Sequence, residues 1–193
     1  MDRIGYVTRV TKETQIEVEI NLDGGEVNVS TGIGFFDHML NAFAHHAGFG
    51  LNVTTEGDLI VDCHHSVEDT GIAIGMALKQ ALGDKAGILR FGSAYIPMDE
   101  SLSFCAVDVS GRPYLVFKAE FPQERVGDFD TCMTEEFFKA LSDNAGITLH
   151  LKNEYGKNSH HMIESIFKAF AYAMKTATRD NGTGEVISTK GVL

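Results

Sequence analysis

Two short segments of this 193-residue chain carry the same pattern of chemistry-bearing residues. His64-His65-Ser66-Val67-Glu68 and His160-His161-Met162-Ile163-Glu164 both read H-H-x-x-E, in a chain with only eight histidines. Imidazole nitrogen and carboxylate oxygen are ligands for divalent first-row cations. In each copy the pair sits where a loop gives way to helical apolar spacing. Residues three or four apart share a helix face, so the glutamate can join one of the histidines on one ion. Adjacent helical residues point about 100° apart, so the two histidines of a pair should serve different ions. Spacing alone leaves open which histidine joins the glutamate. A lone histidine, such as His45 or His150, is most often a hydrogen-bonded structural group. Two copies of one motif at equivalent points of a repeat are stronger evidence for a shared role.

The elements that must carry these residues also repeat. Residues 13–20 alternate polar and apolar, which predicts a half-buried strand. Asp23-Gly24-Gly25 is a turn signal, and GEVNVSTGI returns as a second strand. Phe36, Met39, Leu40 and Phe43 have helical spacing. LNVTTEGDLIVD predicts one or two strands, and a helix follows from Ser66 to Gly83. In the second half, SAYIPMD, SLSFCAVDV and YLVFKAEF read as strands, with Gly111-Arg112-Pro113 as a turn. TEEFFKALSDNAG predicts a helix capped at Gly146, ITLHLKNE a strand, and HHMIESIFKAFAYAMKTATR the longest helix. The tail NGTGEVISTKGVL has little periodicity.

Each half therefore runs strands, helix, Ala-Gly, strand, loop, His-His, helix. The His-His pairs lie 96 positions apart, and Ala47-Gly48 and Ala145-Gly146 lie 98 apart. A two-residue difference in loop length is tolerated by duplicated folds. No Pro-rich or Ser-rich linker intervenes, which predicts one domain over 1–193 built from pseudo-repeats of about 1–87 and 88–193. The expected fold is α+β, a two-layer sandwich with helices packed between two sheets. At the offset of 98, His38 falls on Glu136, and both lie on predicted helices. The candidate ligands are then His38, His64, His65, Glu68, Glu136, His160, His161 and Glu164. Eight ligands divide as four for each of two ions, with positions left open for substrate. Nitrogen and oxygen donors without thiolate suit manganese, iron, nickel or zinc rather than copper(I).

Bulk properties narrow the partners. The net charge of −11 disfavours nucleic acid and anionic membrane surfaces. The start, MDRIGYVTRVTKET, has no apolar run, so no secretory signal is expected, and no stretch approaches a membrane span. Cys63, Cys105 and Cys132 are odd in number and widely spaced, which points to free thiols in a reducing cytoplasm.

At these residues the sequence resembles the imidazoleglycerol-phosphate dehydratase family. The matching stretches are RVTKET, STGIGFFDHML, HHSVEDTGIAIG, RFGSAYIPMDE, DVSGRPYL, TLHL, NSHHMIESIFKAF and STKGVL, in order from residue 9 to the C-terminus. The resemblance implies the monofunctional form, with no phosphatase domain. It implies a duplicated fold like domain 2 of ribosomal protein S5. It also implies two manganese ions (Mn2+) per active site and 24 subunits in octahedral symmetry, with sites between subunits. The implied reaction is dehydration of D-erythro-imidazoleglycerol phosphate to imidazoleacetol phosphate in histidine biosynthesis.

The departing proton sits on a carbon with no adjacent carbonyl, so its acidity is poor. A substrate imidazole bridging two cations can lose its ring N–H and bind as imidazolate. Imidazolate can expel the neighbouring hydroxyl, giving a conjugated diazafulvene whose next C–H a carboxylate can remove. Matching to the family's K-E-T segment makes Glu13 the candidate base and a substrate contact. It is otherwise an ordinary solvated strand residue. The resemblance further assigns Arg90, Arg112, Lys168 and Lys190 to phosphate, with hydroxyls of Ser188 and Thr189. Arginine suits bidentate phosphate contacts and lysine supplies a point charge. His46, and His38 beside its metal role, are implied to line the substrate pocket.

Two positions depart from the family pattern. Glu136 stands where many members carry histidine, which lowers the charge of the site by one. Cys63 stands where aspartate is common. Two other classes compete. A metallohydrolase would release phosphate rather than water. A metal-holding assembly protein would oligomerise on metal without turnover.

Overall fold

The computed structural model describes residues 3–188. Its first half contains strands β1 (Ile4–Val10), β2 (Thr14–Asn21), β3 (Val27–Ser30) and β4 (Gly50–Gly57), with helices α1 (Gly34–Ala47) and α2 (His64–Leu82). The second half contains β5 (Phe91–Met98), β6 (Ser101–Asp108), β7 (Tyr114–Lys118) and the two-residue strands β8 (Arg125–Val126) and β9 (Phe129–Asp130). Helix α3 (Met133–Ala145), strand β10 (Thr148–Tyr155) and helix α4 (Ser159–Ala177) complete it.

The two sheets have the same wiring. Their orders are β1-β2-β4-β3 and β5-β6-β10-β7, and β8 and β9 form a separate hairpin. In each sheet the first two pairings are antiparallel, and the last, β3 with β4 or β7 with β10, is parallel. Two expectations change here. GEVNVSTGI does not return against β2, because the chain crosses to the far edge and leaves room for β4 between them. Likewise Gly111-Arg112-Pro113 leads not into a hairpin with β6 but to an edge strand on β10. Strand β1 lies outside the segments expected to be strands. Its alternation is plain only in its burial, with Gly5 and Val7 inward and Ile4, Tyr6 and Thr8 outward.

Each sheet turns one face to helices. Helix α2 packs on β1 and β2, and α4 on β5 and β6, while α1 lies against α4 and α3 against α2. The helices of the two halves thus meet between the sheets, as an α+β sandwich requires. Phenylalanines fill the seam: Phe167 stacks on Phe137 at 5.3 Å and meets Phe138 at 4.8 Å between ring centroids. Glycine permits the closest approaches. A Cβ on Gly71 would lie 2.8 Å from the Phe137 carbonyl oxygen, and one on Gly75 would lie 2.6 Å from that of Leu141, so α2 and α3 touch backbone to backbone. Gly5 and Gly92 repeat one another, their missing Cβ atoms meeting the carbonyl oxygens of Ala77 and Ala173.

The hairpin β8–β9 is inserted in the second half between β7 and α3, and it accounts for the growth of the repeat offset from 87 at Gly5 and Gly92 to 98 at the helix-capping Gly48 and Gly146. The fall to 96 comes from the longer loop 58–63 of the first half. Among the described residues no helix is long and apolar enough to cross a membrane.

Candidate metal centre

Both H-H-x-x-E motifs open a helix, and matching side chains cap them. Asp62 Oδ1 accepts the N–H of His64 at 2.8 Å, and Asn158 Oδ1 accepts that of His160 at 2.9 Å. These caps orient the first turn of each helix. One turn on, the spacing resolves in the same way twice. His64 Nε2 lies 3.3 Å from Glu68 Oε2, and His160 Nε2 lies 3.3 Å from Glu164 Oε2. The first histidine of each pair therefore joins the glutamate.

The second motif also recruits α1. His38 Nε2 stands 3.6 Å from Glu164 Oε2, and the His38 and His160 rings lie 5.8 Å apart between centroids. Ligand atoms of His38, His160 and Glu164 all fall within 4.8 Å of one another. Asp37 Oδ1 accepts bonds from both the N–H and the hydroxyl of Thr31, which anchors the start of α1. Two nitrogens and one carboxylate oxygen at this spacing fit a hard or borderline divalent cation such as manganese. Glu164 is buried, and Lys168 Nζ binds its Oε1 at 2.7 Å, leaving Oε2 toward the imidazoles. Burial pushes the Glu164 carboxyl up, but Lys168, His38 and His160 outweigh it and hold it below the usual range.

The second histidines turn elsewhere. His65 Nδ1 lies 3.0 and 3.1 Å from the two carboxylate oxygens of Asp58. His161 Nδ1 lies 2.7 Å from Glu100 Oε2. These hydrogen bonds raise both imidazoles above their ordinary value. The bond from His161, with backbone N–H groups, pulls the Glu100 carboxyl down to about 2.

Glu13 is exposed at the β1–β2 turn, with Oε2 3.9 Å from His65 Nε2. Its neighbour Thr14 donates to Asp69 Oδ2 on α2 at 2.6 Å, and Arg9 reaches Oδ1 of the same carboxylate at 2.9 Å, so the turn is tied to the helix that carries His65. Glu136 is half-buried on α3 and, among the described residues, joins no group of three possible ligands.

His38, His46, Glu164 and Lys168 line one cleft together with His45. Burial, then the charges of Lys168 and His45, hold the His46 imidazole below its ordinary value. Arg90 and Arg112 converge on Asp108, at 2.7 and 3.8 Å. Arg90 Nη1 also donates to the Ile187 carbonyl at 2.6 Å, which brings the tail at Ser188 to this arginine pair. Thr189 and Lys190 lie outside the described residues. Cys63 is buried, with Sγ 3.7 Å from Asp130 Oδ2 of the inserted hairpin, and burial raises its thiol. The carboxylates Asp58 and Glu100 escaped the motif reading because neither lies in an H-H-x-x-E segment. The offset of 87 between Glu13 and Glu100 was the available signal.

Fold and site together define a duplicated α+β protein that places histidines and carboxylates at the starts of two helices. The model of the imidazoleglycerol-phosphate dehydratase family matches residues 31–174. Relatives of that name include the proteins of Acetivibrio thermocellus, 56% identical over 100% of both chains, and Methanosarcina mazei, 59% identical over 99% of this chain and 100% of the other. Among solved structures, imidazoleglycerol-phosphate dehydratase from Staphylococcus aureus superposes with a TM-score of 0.85 at 43% identity, covering 92% of this chain and 99% of that one. The Pyrococcus furiosus structure gives 0.85 at 37% identity, covering 97% and 100%. The chain belongs to the imidazoleglycerol-phosphate dehydratase family, and is thus a hydro-lyase of histidine biosynthesis.

Proposed function

We propose that this protein dehydrates D-erythro-imidazoleglycerol phosphate to imidazoleacetol phosphate with two manganese ions per active site. The observation that carries the reading is the convergence of His38, His160 and Glu164 from two helices onto one point. His64 and Glu68, with Glu136 from the equivalent helix, form the matching half of the ligand set. His65 and His161 bind Asp58 and Glu100 through Nδ1, so their Nε2 atoms are the ones left to serve as ligands. Membership of the family carries the rest of this reading, sites completed between chains in a 24-subunit cytoplasmic assembly. Each chain is a single duplicated unit.

When bound, the cations supply the Lewis acidity that lets the substrate imidazole lose its ring proton. The chain's own residues do the rest. Glu13, beside His65, takes the proton from the carbon chain of the substrate. His46 and Lys168 line the approach, and Lys168 holds Glu164 in its orientation. Arg90, Arg112, Ser188, Thr189 and Lys190 hold the phosphate, which fixes the reacting carbons over Glu13.

The test is turnover of imidazoleglycerol phosphate with and without manganese. Metal-dependent appearance of the keto product is expected. Release of inorganic phosphate instead would make the protein a metallohydrolase.

A further inference from the structure

The β1–β2 and β5–β6 turns are the same position of the duplication. Thr14 and Ser101, like Gly5 and Gly92, are 87 apart, so Glu13 and Glu100 are repeat partners. The surroundings repeat as well. Thr14 donates to Asp69 of α2, while Ser101 meets Ser165, the equivalent residue of α4, at 3.3 Å. Each glutamate lies beside the second histidine of its motif, yet the two are held differently. Both oxygens of Glu100 are engaged: Oε1 accepts the N–H groups of Lys157 and Asn158 at 3.1 and 2.9 Å, and Oε2 faces His161 Nδ1. Asp99 flanks the same ring, 3.7 Å from Nε2, at positive φ of 48°. In the first half Asp58 occupies His65 Nδ1. Among the described residues the Glu13 carboxylate accepts no hydrogen bond, and it stands on the Nε2 side of the ring.

We propose that Asp58 and Glu100 are positioning residues that accept the Nδ1–H of His65 and His161, fixing the tautomer whose Nε2 lone pair is free for a metal ion, and that Asp58, by taking this task in the first half, leaves Glu13 unbound as the carboxylate that handles the substrate proton. This rests on the metal-dependent dehydratase reading. A metal-bound histidine is oriented by what its other nitrogen touches, and a carboxylate there also strengthens the ligand.

Amide substitution tests this, because glutamine has one acceptor oxygen where Glu100 uses two. With that oxygen kept on the backbone N–H groups, the amide NH2 faces His161 Nδ1 and demands the opposite tautomer, which protonates Nε2. Manganese affinity of the purified assembly is measured by electron paramagnetic resonance titration of free ion in wild type, Glu100→Gln, Asp58→Asn and Glu13→Gln. The first two variants should lose about 10–100-fold in affinity, with the third within about threefold of wild type. The 15N resonances of the metal-free protein should show a histidine moving from Nδ1–H to Nε2–H in Glu100→Gln, whereas in Asp58→Asn, whose amide oxygen nothing else holds, the ring keeps Nδ1–H and loses only the carboxylate's charge. Wild-type affinity in both Glu100→Gln and Asp58→Asn, or an equal loss in Glu13→Gln, overturns the proposal. Absence of manganese binding by wild type would instead remove the reading beneath it.

Discussion

His38 Nε2 lies 3.6 Å from Glu164 Oε2, so a helix of the first half and a helix of the second bring their side chains to one cluster that could hold a metal ion. The halves are therefore joined by chemistry as well as by packing. Replacing either residue by alanine should weaken manganese binding by more than about 100-fold. Loss of a ligand should exceed the 10–100-fold loss that follows removal of a ligand's hydrogen-bond partner. Metal content after gel filtration, read by mass spectrometry, checks this. Full occupancy in both variants would exclude the cluster.

Acid should release the metal earlier than ordinary imidazoles would predict. Metal binding needs the neutral ring, and the bonds to Asp58 and Glu100 raise His65 and His161 above the ordinary 6.5 in the metal-free protein. As pH falls through those raised values, apparent affinity drops about tenfold per unit for each proton displaced. The plot of log Kd against pH should therefore bend above 6.5. The metal-free fold carries the opposite sign: the two ion pairs stabilise it fully below the ordinary imidazole value, and that part is lost as pH rises through the raised values. A bend at or below 6.5 would contradict both statements.

Glu13→Gln should abolish turnover while substrate still binds. The carboxylate stands beside His65, exposed at a turn anchored through Thr14 and Asp69, so the amide changes basicity and little else. Loss of a proton-transfer group costs about 10²–10⁴ in rate. Steady-state kinetics with isothermal titration of substrate separates kcat from binding. Full activity would remove Glu13 from the mechanism.

Gly5→Ala and Gly92→Ala should each destabilise the fold by about 1–3 kcal/mol or more, because the added methyl meets a helix carbonyl and the sheet must move off α2 or α4. Chemical denaturation of each variant against wild type measures the change. Similar costs are expected, since the duplicated halves use the two glycines alike.

Much of this is legible in the sequence. The duplication, the α1 and α3 helices, the cap at Gly146, and the paired histidine motifs are written in periodicity and spacing. The partners of β3 and β7 were not, because a crossover to a parallel edge leaves the same local alternation as a hairpin return. The hairpin β8–β9 was missed because two-residue strands carry no period. Asp58 and Glu100 lie in loops, where only the topology brings them to the histidines. That α1 forms the wall of a cleft with α4 is likewise not written in the sequence. The direction of Glu68 and Glu164 toward His64 and His160 required the helix register itself.

The central claim is that these histidines and carboxylates bind metal as two matching sets. Crystals grown with manganese and measured at the manganese edge test it directly. Anomalous peaks are predicted at bonding distance from His38, His160 and Glu164, and from His64 and Glu68. A manganese-replete crystal with no anomalous density beside either set would contradict the account.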